Sequence, residues 1–268
     1  MYAIPFPVID PVVIEFGPVA IRWYALAYVA GLVIGWRYAM YLGRRDDTPV
    51  RPEHPDGFLA WATLGVVLGG RAGYVLFYGL PYFIDHPSQI LAVWEGGMAF
   101  HGGLLGVVIA GLLYCRWQKL SALAFGDILG AVAPVGLFFG RIANFVNGEL
   151  WGRVSDVPWA MVFPRAGDEP RHPSQLYEAV LEGLVLFTVV NLLIWRFRAL
   201  ERPGLAMGTF IAGYGISRFI VEFFRQWDEG LDPAFGWLSR GQQLSLPMIA
   251  IGLWFVVRAL QKPKRATA

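Results

Sequence analysis

Seven stretches of this chain are apolar and long enough to cross a lipid bilayer as helices, and this restricts the fold more than any motif does. They fall near 19–40, 57–80, 97–115, 121–140, 175–197, 204–224 and 244–260. A helix needs about 20 residues to span the hydrocarbon core. Lipid offers the backbone no hydrogen bonds, so a spanning segment must satisfy its own N–H and C=O groups. The expected fold is an all-α polytopic membrane protein of about seven transmembrane helices, one integral membrane domain over 1–268. Only 16% of the residues are charged, against roughly 25% in a soluble domain. The net charge of +2 is too small to imply nucleic acid.

Lys and Arg set the expected orientation. With the N-terminus outside, the cytoplasmic side holds thirteen (Arg37, Arg44, Arg45, Arg51, Arg116, Lys119, Arg196, Arg198, Arg202, Arg258, Lys262, Lys264 and Arg265) and the outer side six (Arg141, Arg153, Arg165, Arg171, Arg225 and Arg240). The excess predicts a periplasmic N-terminus and a cytoplasmic C-terminus. Four of the six outer charges sit in the polar region 141–174, between the fourth and fifth spans. A loop that keeps arginines where topology disfavours them is a candidate for function. Residues 1–18 lack a basic n-region and hold Pro5, Pro7, Pro11 and Pro18, so they read as a retained apolar arm at the outer interface rather than a signal peptide. Cys115 is the one cysteine and reads as packing.

A charge inside a span costs roughly 2.5–3.5 kcal/mol on insertion scales, so each such residue needs a partner or a task. Arg218 precedes the outer end of the sixth span by about 9 Å on the helical rise, with Glu222 and Arg225 following on the same face. Arg22 and Tyr24 open the first span, His101 opens the third within GGMAFHGGLLG (96–106), and Arg141 closes the fourth. All these groups converge on the outer half of the membrane. Taken singly they have plainer explanations. Arg218–Glu222 reads equally as a structural ion pair, His101 as a buried ring bonded to a carbonyl, the glycines as close helix packing, and Arg22 as a snorkelling side chain. Arg71 and Asp127 read as a buried pair or a hydrogen-bonded polar core. The echo between DHPSQI (85–90) and RHPSQLYE (171–178) reads as two helix starts with serine N-caps.

The stretch GRIANFVNGELWGR (140–153) concentrates guanidinium and amide donors directly after an apolar span. Such donors at a membrane edge suit the phosphate of a lipid headgroup. None of His54, His86, His101 and His172 falls in a metal-ligand spacing, and no P-loop or GxSxG elbow is present. No metal and no cofactor is therefore expected.

The runs GGMAFHGGLLG (96–106), GRIANFVNGELWGR (140–153), HPSQLYEA (172–179) and YGISRFIVEFFR (214–225) resemble those of the prolipoprotein diacylglyceryl transferase family, in the same order along the chain. Ala143 stands where a glycine is expected, and the cytoplasmic loops vary freely. The resemblance implies a multi-pass enzyme of the bacterial inner membrane with its site facing the outer leaflet. The reaction it implies moves the diacylglyceryl group of phosphatidylglycerol onto the lipobox cysteine thiol of a preprolipoprotein signal peptide, forming a thioether and releasing glycerol 1-phosphate. The partners are then phosphatidylglycerol, the preprolipoprotein and membrane lipids, and the expected state is a monomer. In that frame Arg141 and Arg218 hold the phosphate, and His101 is the general base or orients the glycerol head. Asn144 and Asn147 bond glycerol hydroxyls, Glu149 and Glu222 orient the arginines, Tyr24 and Tyr214 line the lipid pocket, and Gly152 permits a close backbone approach. A lipid transporter and a non-catalytic lipid-binding assembly factor are the alternatives. A transporter calls for polar residues through both leaflets, and the inner half is comparatively bare.

Overall fold

The computed structural model describes residues 4–7, 9–17, 19–226 and 238–264. In chain order its elements are β1 (Ile4–Pro5), β2 (Val12–Phe16), β3 (Val19–Arg22), α1 (Trp23–Leu42), α2 (Glu53–Phe77), α3 (Leu80–Asp85), α4 (Phe100–Trp117), α5 (Ala122–Val146), β4 (Met161–Val162), α6 (Ser174–Glu178), α7 (Leu186–Phe197), α8 (Leu205–Val221) and α9 (Arg240–Gln261). A π-helical turn, Ala179–Val185, joins α6 to α7 in one run, Ser174–Phe197. Among the described residues six helices are long and apolar enough to cross a membrane, and α8 is a shorter apolar helix. The protein is a multi-pass membrane protein, with helices at each of the seven expected places.

The boundaries shift where local chemistry competes. The first span was expected from residue 19, with Arg22 inside it. Instead Val19–Arg22 pairs antiparallel with Val12–Phe16 and the helix starts at Trp23. The sequence VVIEF-G-PVAIR is rich in β-branched residues, and Gly17 supplies the left-handed turn (φ +57°) between the strands. The last span starts at Arg240, four residues early, because Ser239 and Gln242 form a reciprocal capping box. The expected serine caps are absent. His86 and Pro173 occupy those N-cap positions without side-chain capping bonds, and the Ser174 hydroxyl donates to the Leu150 carbonyl (3.0 Å).

Two compact units are present: Met1–Ala39 with Gly126–Ala268, and Met40–Phe125. In the second, α2 and α4 pack through facing glycines. A Cβ on Gly106 would overlap the Gly65 carbonyl oxygen, and one on Gly73 would lie 2.8 Å from the Gly102 Cα. The glycines of 96–106 thus have a packing role at Gly102 and Gly106. Cys115 is buried on α4. In the first unit, Tyr38 donates to Asn191 Oδ1, and Asn191 donates to the carbonyls of Phe187 (2.9 Å) and Ala131 (3.3 Å), tying α1, α5 and α7 together.

Asp127, fully buried on α5, accepts from the backbone N–H groups of Gly204 (2.7 Å) and Met207 (2.8 Å). Gly204 is the N-cap of α8 and brings no side chain of its own. A carboxylate from another helix therefore supplies the cap and opposes the positive end of the helix dipole. Asp127→Ala strands two N–H groups away from water. It is expected to lower stability by about 2 kcal/mol, read as a thermal midpoint in detergent, with Asp127→Asn retaining part of the cap. An unchanged midpoint for the alanine variant would show that α8 does not need this acceptor.

Candidate active site

The first unit brings nine of the ten expected site residues into its own elements; His101 lies in the second. Arg141 sits near the C-terminal end of α5, and Arg218 and Arg225 lie on and just beyond α8. The carboxylate they share is Glu178, at the end of α6. Its Oε1 accepts from Arg218 Nη1 (2.9 Å) and Arg225 Nη1 (2.8 Å), and its Oε2 lies 3.2 Å from Arg141 Nε. Glu182, on the π-helical turn, receives Arg141 Nη2 at 3.3 Å. Glu222 stands 2.8 Å from Arg218 Nη2 and 3.7 Å from Arg225 Nε. Glu178 and Glu182 are fully buried, whereas the Arg141 and Arg218 side chains each keep 18% of their surface exposed. Each of these two side chains is thus held by buried carboxylates and still partly accessible.

Three arginines face three glutamates, so the cluster is formally neutral with all six ionised. Neutrality lets it exist at low dielectric, where an unmatched charge would be costly. It also means that the fixed fork geometry of the guanidiniums, and not a net field, would orient a bound anion. The π-helical turn places Glu182 beside Arg141 and lets Gly183 sit against Phe138, where a Cβ would come within 2.7 Å of the Phe138 Cβ. Wide turns of this kind concentrate at functional sites.

The loop after α5 is held by its own polar groups. Glu149 accepts from Asn144 Nδ2 (2.8 Å) and Asn147 Nδ2 (3.4 Å), and its carbonyl accepts from Gln175 Nε2 (2.6 Å). Glu149 therefore holds the two amides, and the carboxylates set against the arginines are Glu178, Glu182 and Glu222. Gly152 pairs with Arg225 in a β-bridge and donates to the His172 carbonyl (2.8 Å). A Cβ there would fall 2.5 Å from the Phe224 carbonyl oxygen and 2.7 Å from His172 Cβ, so only glycine fits. The close approach at Gly152 is made by the protein's own backbone. Arg153 Nε donates to the Arg225 carbonyl (2.9 Å), closing the loop onto the end of α8. Nδ1 of His172 lies 3.0 Å from the Tyr177 hydroxyl, and partial burial holds its imidazole below the ordinary histidine value.

Tyr214 precedes Arg218 by one turn of α8 and lies within electrostatic reach of Arg141, Arg218, Glu178 and Glu182. Tyr24, exposed at the start of α1, is within reach of Glu149 and Arg141 and packs against Tyr28 with ring centres 5.4 Å apart. His101, in the second unit, is the second residue of α4; its ring is exposed rather than buried and meets the Phe100 ring edge-on at 5.5 Å.

The reading of the sequence missed Glu178, Glu182 and Gln175 as members of this arrangement, and it placed Arg225 on the face of Arg218 without giving it a role. A signal for the two glutamates was present: carboxylates four residues apart in an apolar span require cationic partners, and the arginines were already placed on that side.

The sequence model of the family described as "Prolipoprotein diacylglyceryl transferase" matches residues 11–258. The phosphatidylglycerol–prolipoprotein diacylglyceryl transferase of Rhodospirillum rubrum is 56% identical over 267 residues, 98% of this chain and 97% of that protein. Those of Azospirillum brasilense (55%, 98% and 99% covered) and Rhodospirillum centenum (56%, 100% and 98% covered) are similar along their whole length. This chain is a transferase and belongs to the prolipoprotein diacylglyceryl transferase family.

Proposed function

We propose that the protein transfers the diacylglyceryl group of phosphatidylglycerol to the lipobox cysteine of a preprolipoprotein, with glycerol 1-phosphate as the second product. The observation that carries this reading is the pair Arg141 and Arg218, both set by one buried carboxylate and both partly open. A base removes the S–H proton. Sulfur then bonds to the terminal glyceryl carbon as that carbon's bond to oxygen breaks, and the phosphate departs as a monoester. The phosphate gains one negative charge in this step. Guanidiniums already oriented by glutamates can meet that charge without reorganising, which is where electrostatic catalysis gains most.

Arg141 and Arg218 hold the phosphate, and Glu222 and Glu178 hold the arginines. His101 takes the thiol proton, imidazole being a side chain commonly used as a general base near neutral pH. Asn144 and Asn147, fixed by Glu149, present their remaining polar atoms to the glycerol hydroxyls, and Tyr24 and Tyr214 flank the lipid. The enzyme acts as a monomer in the inner membrane with the N-terminus outside, the arginine cluster at the outer leaflet, and the β2–β3 hairpin at that interface.

The test follows glycerol phosphate release from phosphatidylglycerol by purified protein in detergent, with a lipobox peptide and its Cys→Ser twin. Release is expected with the cysteine peptide only. Arg141→Lys is expected to lose about 100-fold while folding normally, because lysine keeps the charge but not the fork. A fully active Arg141→Lys variant would end the bidentate assignment, and a fully active His101→Gln variant would end the base assignment. No release with either peptide from folded protein would favour lipid binding or transport.

A further inference from the structure

Arg71 lies six residues before the C-terminal end of α2 and is buried. Among the described residues its guanidinium faces no carboxylate. It donates instead to four backbone carbonyls of the connection leading into α4. Nε reaches Ile90 (2.9 Å), Nη2 reaches Gln89 (2.6 Å), and Nη1 reaches Gly96 (2.6 Å) and Gly97 (3.2 Å). The rings of Phe83 and Tyr74 close over it, 5.1 and 5.9 Å from its carbon centre. Gly96 and Gly97 both have left-handed φ (+88° and +76°), a backbone turn that puts successive carbonyls onto one nitrogen.

What this clamp holds is the start of α4. That helix has no side-chain cap; its N-cap, Ala99, donates its N–H to the carbonyl of Gly70, the residue beside Arg71 (2.9 Å). His101 follows two residues later. Among the described residues its ring makes no hydrogen bond and its ring contact is with Phe100, so no polar partner holds the imidazole and its place follows that of the α4 backbone. A general base must sit within hydrogen-bond reach of the proton it takes. A second-row group normally fixes a catalytic histidine by bonding its other nitrogen; here the fixing is done through the main chain.

We infer that Arg71 is a positioning residue for His101: by binding the carbonyls of Gln89, Ile90, Gly96 and Gly97 it fixes the first turn of α4 and so the reach of the imidazole. This rests on the reading of His101 as the base. Lysine cannot replace the guanidinium, since a single ammonium cannot meet carbonyls spread around a planar fork.

The experiment measures kcat, KM and the pH profile of Arg71→Lys, His101→Gln and the double variant, alongside melting midpoints in detergent. Arg71→Lys is expected to lose roughly 10- to 100-fold in kcat, with KM for phosphatidylglycerol within about 3-fold, since the lipid-gripping arginines are untouched. The deficit narrows above about pH 8.5, where the thiol ionises without a base. The double variant is expected to be no worse than His101→Gln alone, because the two residues act as one unit. A deficit that is equal at every pH and multiplies with that of His101→Gln overturns the proposal, as does a folded Arg71→Lys with normal kcat. A fully active His101→Gln removes the base reading itself, and is told apart because that variant alone reports it. If Arg71→Lys does not fold, Gly96→Ala replaces it. Its Cβ meets open space but its φ resists alanine, so it loosens the clamp from the loop side and must show the same pH signature.

Discussion

Glu178→Gln is expected to reduce turnover by about 100-fold or more while leaving the affinity for anionic lipid intact or improved. The magnitude follows from what the carboxylate holds: Arg218 at 2.9 Å, Arg225 at 2.8 Å and Arg141 at 3.2 Å. A displacement of about 1 Å in a catalytic group can cost 10²-fold, and here two phosphate-gripping groups would move together. Glutamine has the same shape, but its amide NH₂ would point donors at donors. The direction of the affinity change separates geometry from field. Without Glu178 the cluster carries three arginines against Glu182 and Glu222, a net charge of +1, so an anion is attracted more strongly. If net charge governed the reaction, the variant would gain activity; if orientation governs it, kcat falls as KM stays or drops. Glu182→Gln is expected to cost less, because Arg141 keeps its contact with Glu178. Steady-state kinetics with phosphatidylglycerol in mixed micelles make the comparison, and a Glu178→Gln enzyme with normal kcat would remove the shared-anchor account of the site.

Much of this arrangement was legible in the sequence, for physical reasons that differ from residue to residue. The seven helical segments could be read because lipid imposes a single solution on an apolar stretch of about 20 residues. Arg141 and Arg218 stood out because a guanidinium in hydrocarbon is conspicuous. Of their carboxylates only Glu222, four residues after Arg218, was read as a partner; Glu178 and Glu182 were passed over, since attention to topology weighs Lys and Arg. Yet Glu178 and Glu182 obey the same rule of intramembrane charge and pair with those very arginines. The hairpin of Val12–Phe16 and Val19–Arg22 was hidden because an apolar, β-branched run before a helix reads as more helix by hydropathy alone. Arg71 and Asp127 were visible as anomalies and read as a buried pair or a hydrogen-bonded polar core. Each proved to be bonded to backbone: Arg71 to carbonyls of a loop, Asp127 to the N–H groups that open α8. Side-chain partners can be guessed from complementary charge, but backbone partners depend on where loops close, which hydropathy does not encode.

Gly106→Val is expected to do more damage to the fold than any change in the arginine cluster. A Cβ at Gly106 would overlap the carbonyl oxygen of Gly65 and lie 2.9 Å from that carbonyl carbon and 3.0 Å from the Gly69 Cα. All three are backbone atoms of α2, so no rotamer change can relieve the clash and the helices must part. In water, hydrophobic burial would oppose that separation. In lipid it does not, because the acyl chains are as apolar as the side chains, and association rests on close packing. Parting α2 from α4 therefore forfeits the contact itself. Gly106→Ala should already cost about 1–3 kcal/mol from overpacking, and Gly106→Val should leave little protein in the membrane fraction or a melting midpoint lowered beyond measurement. Gly103 is the control on the same helix. Its Cβ would make an ordinary contact 3.6 Å from the Val66 carbonyl oxygen, so Gly103→Ala should be neutral or stabilising by about 0.5 kcal/mol through helix propensity. If the Gly106 and Gly103 variants melt alike, the glycine face is not what joins α2 to α4. If only the Gly106 series collapses, the spacing Gly65–Gly69–Gly73 against Gly102–Gly106 is the register that seats α4, and with it the first turn that carries His101.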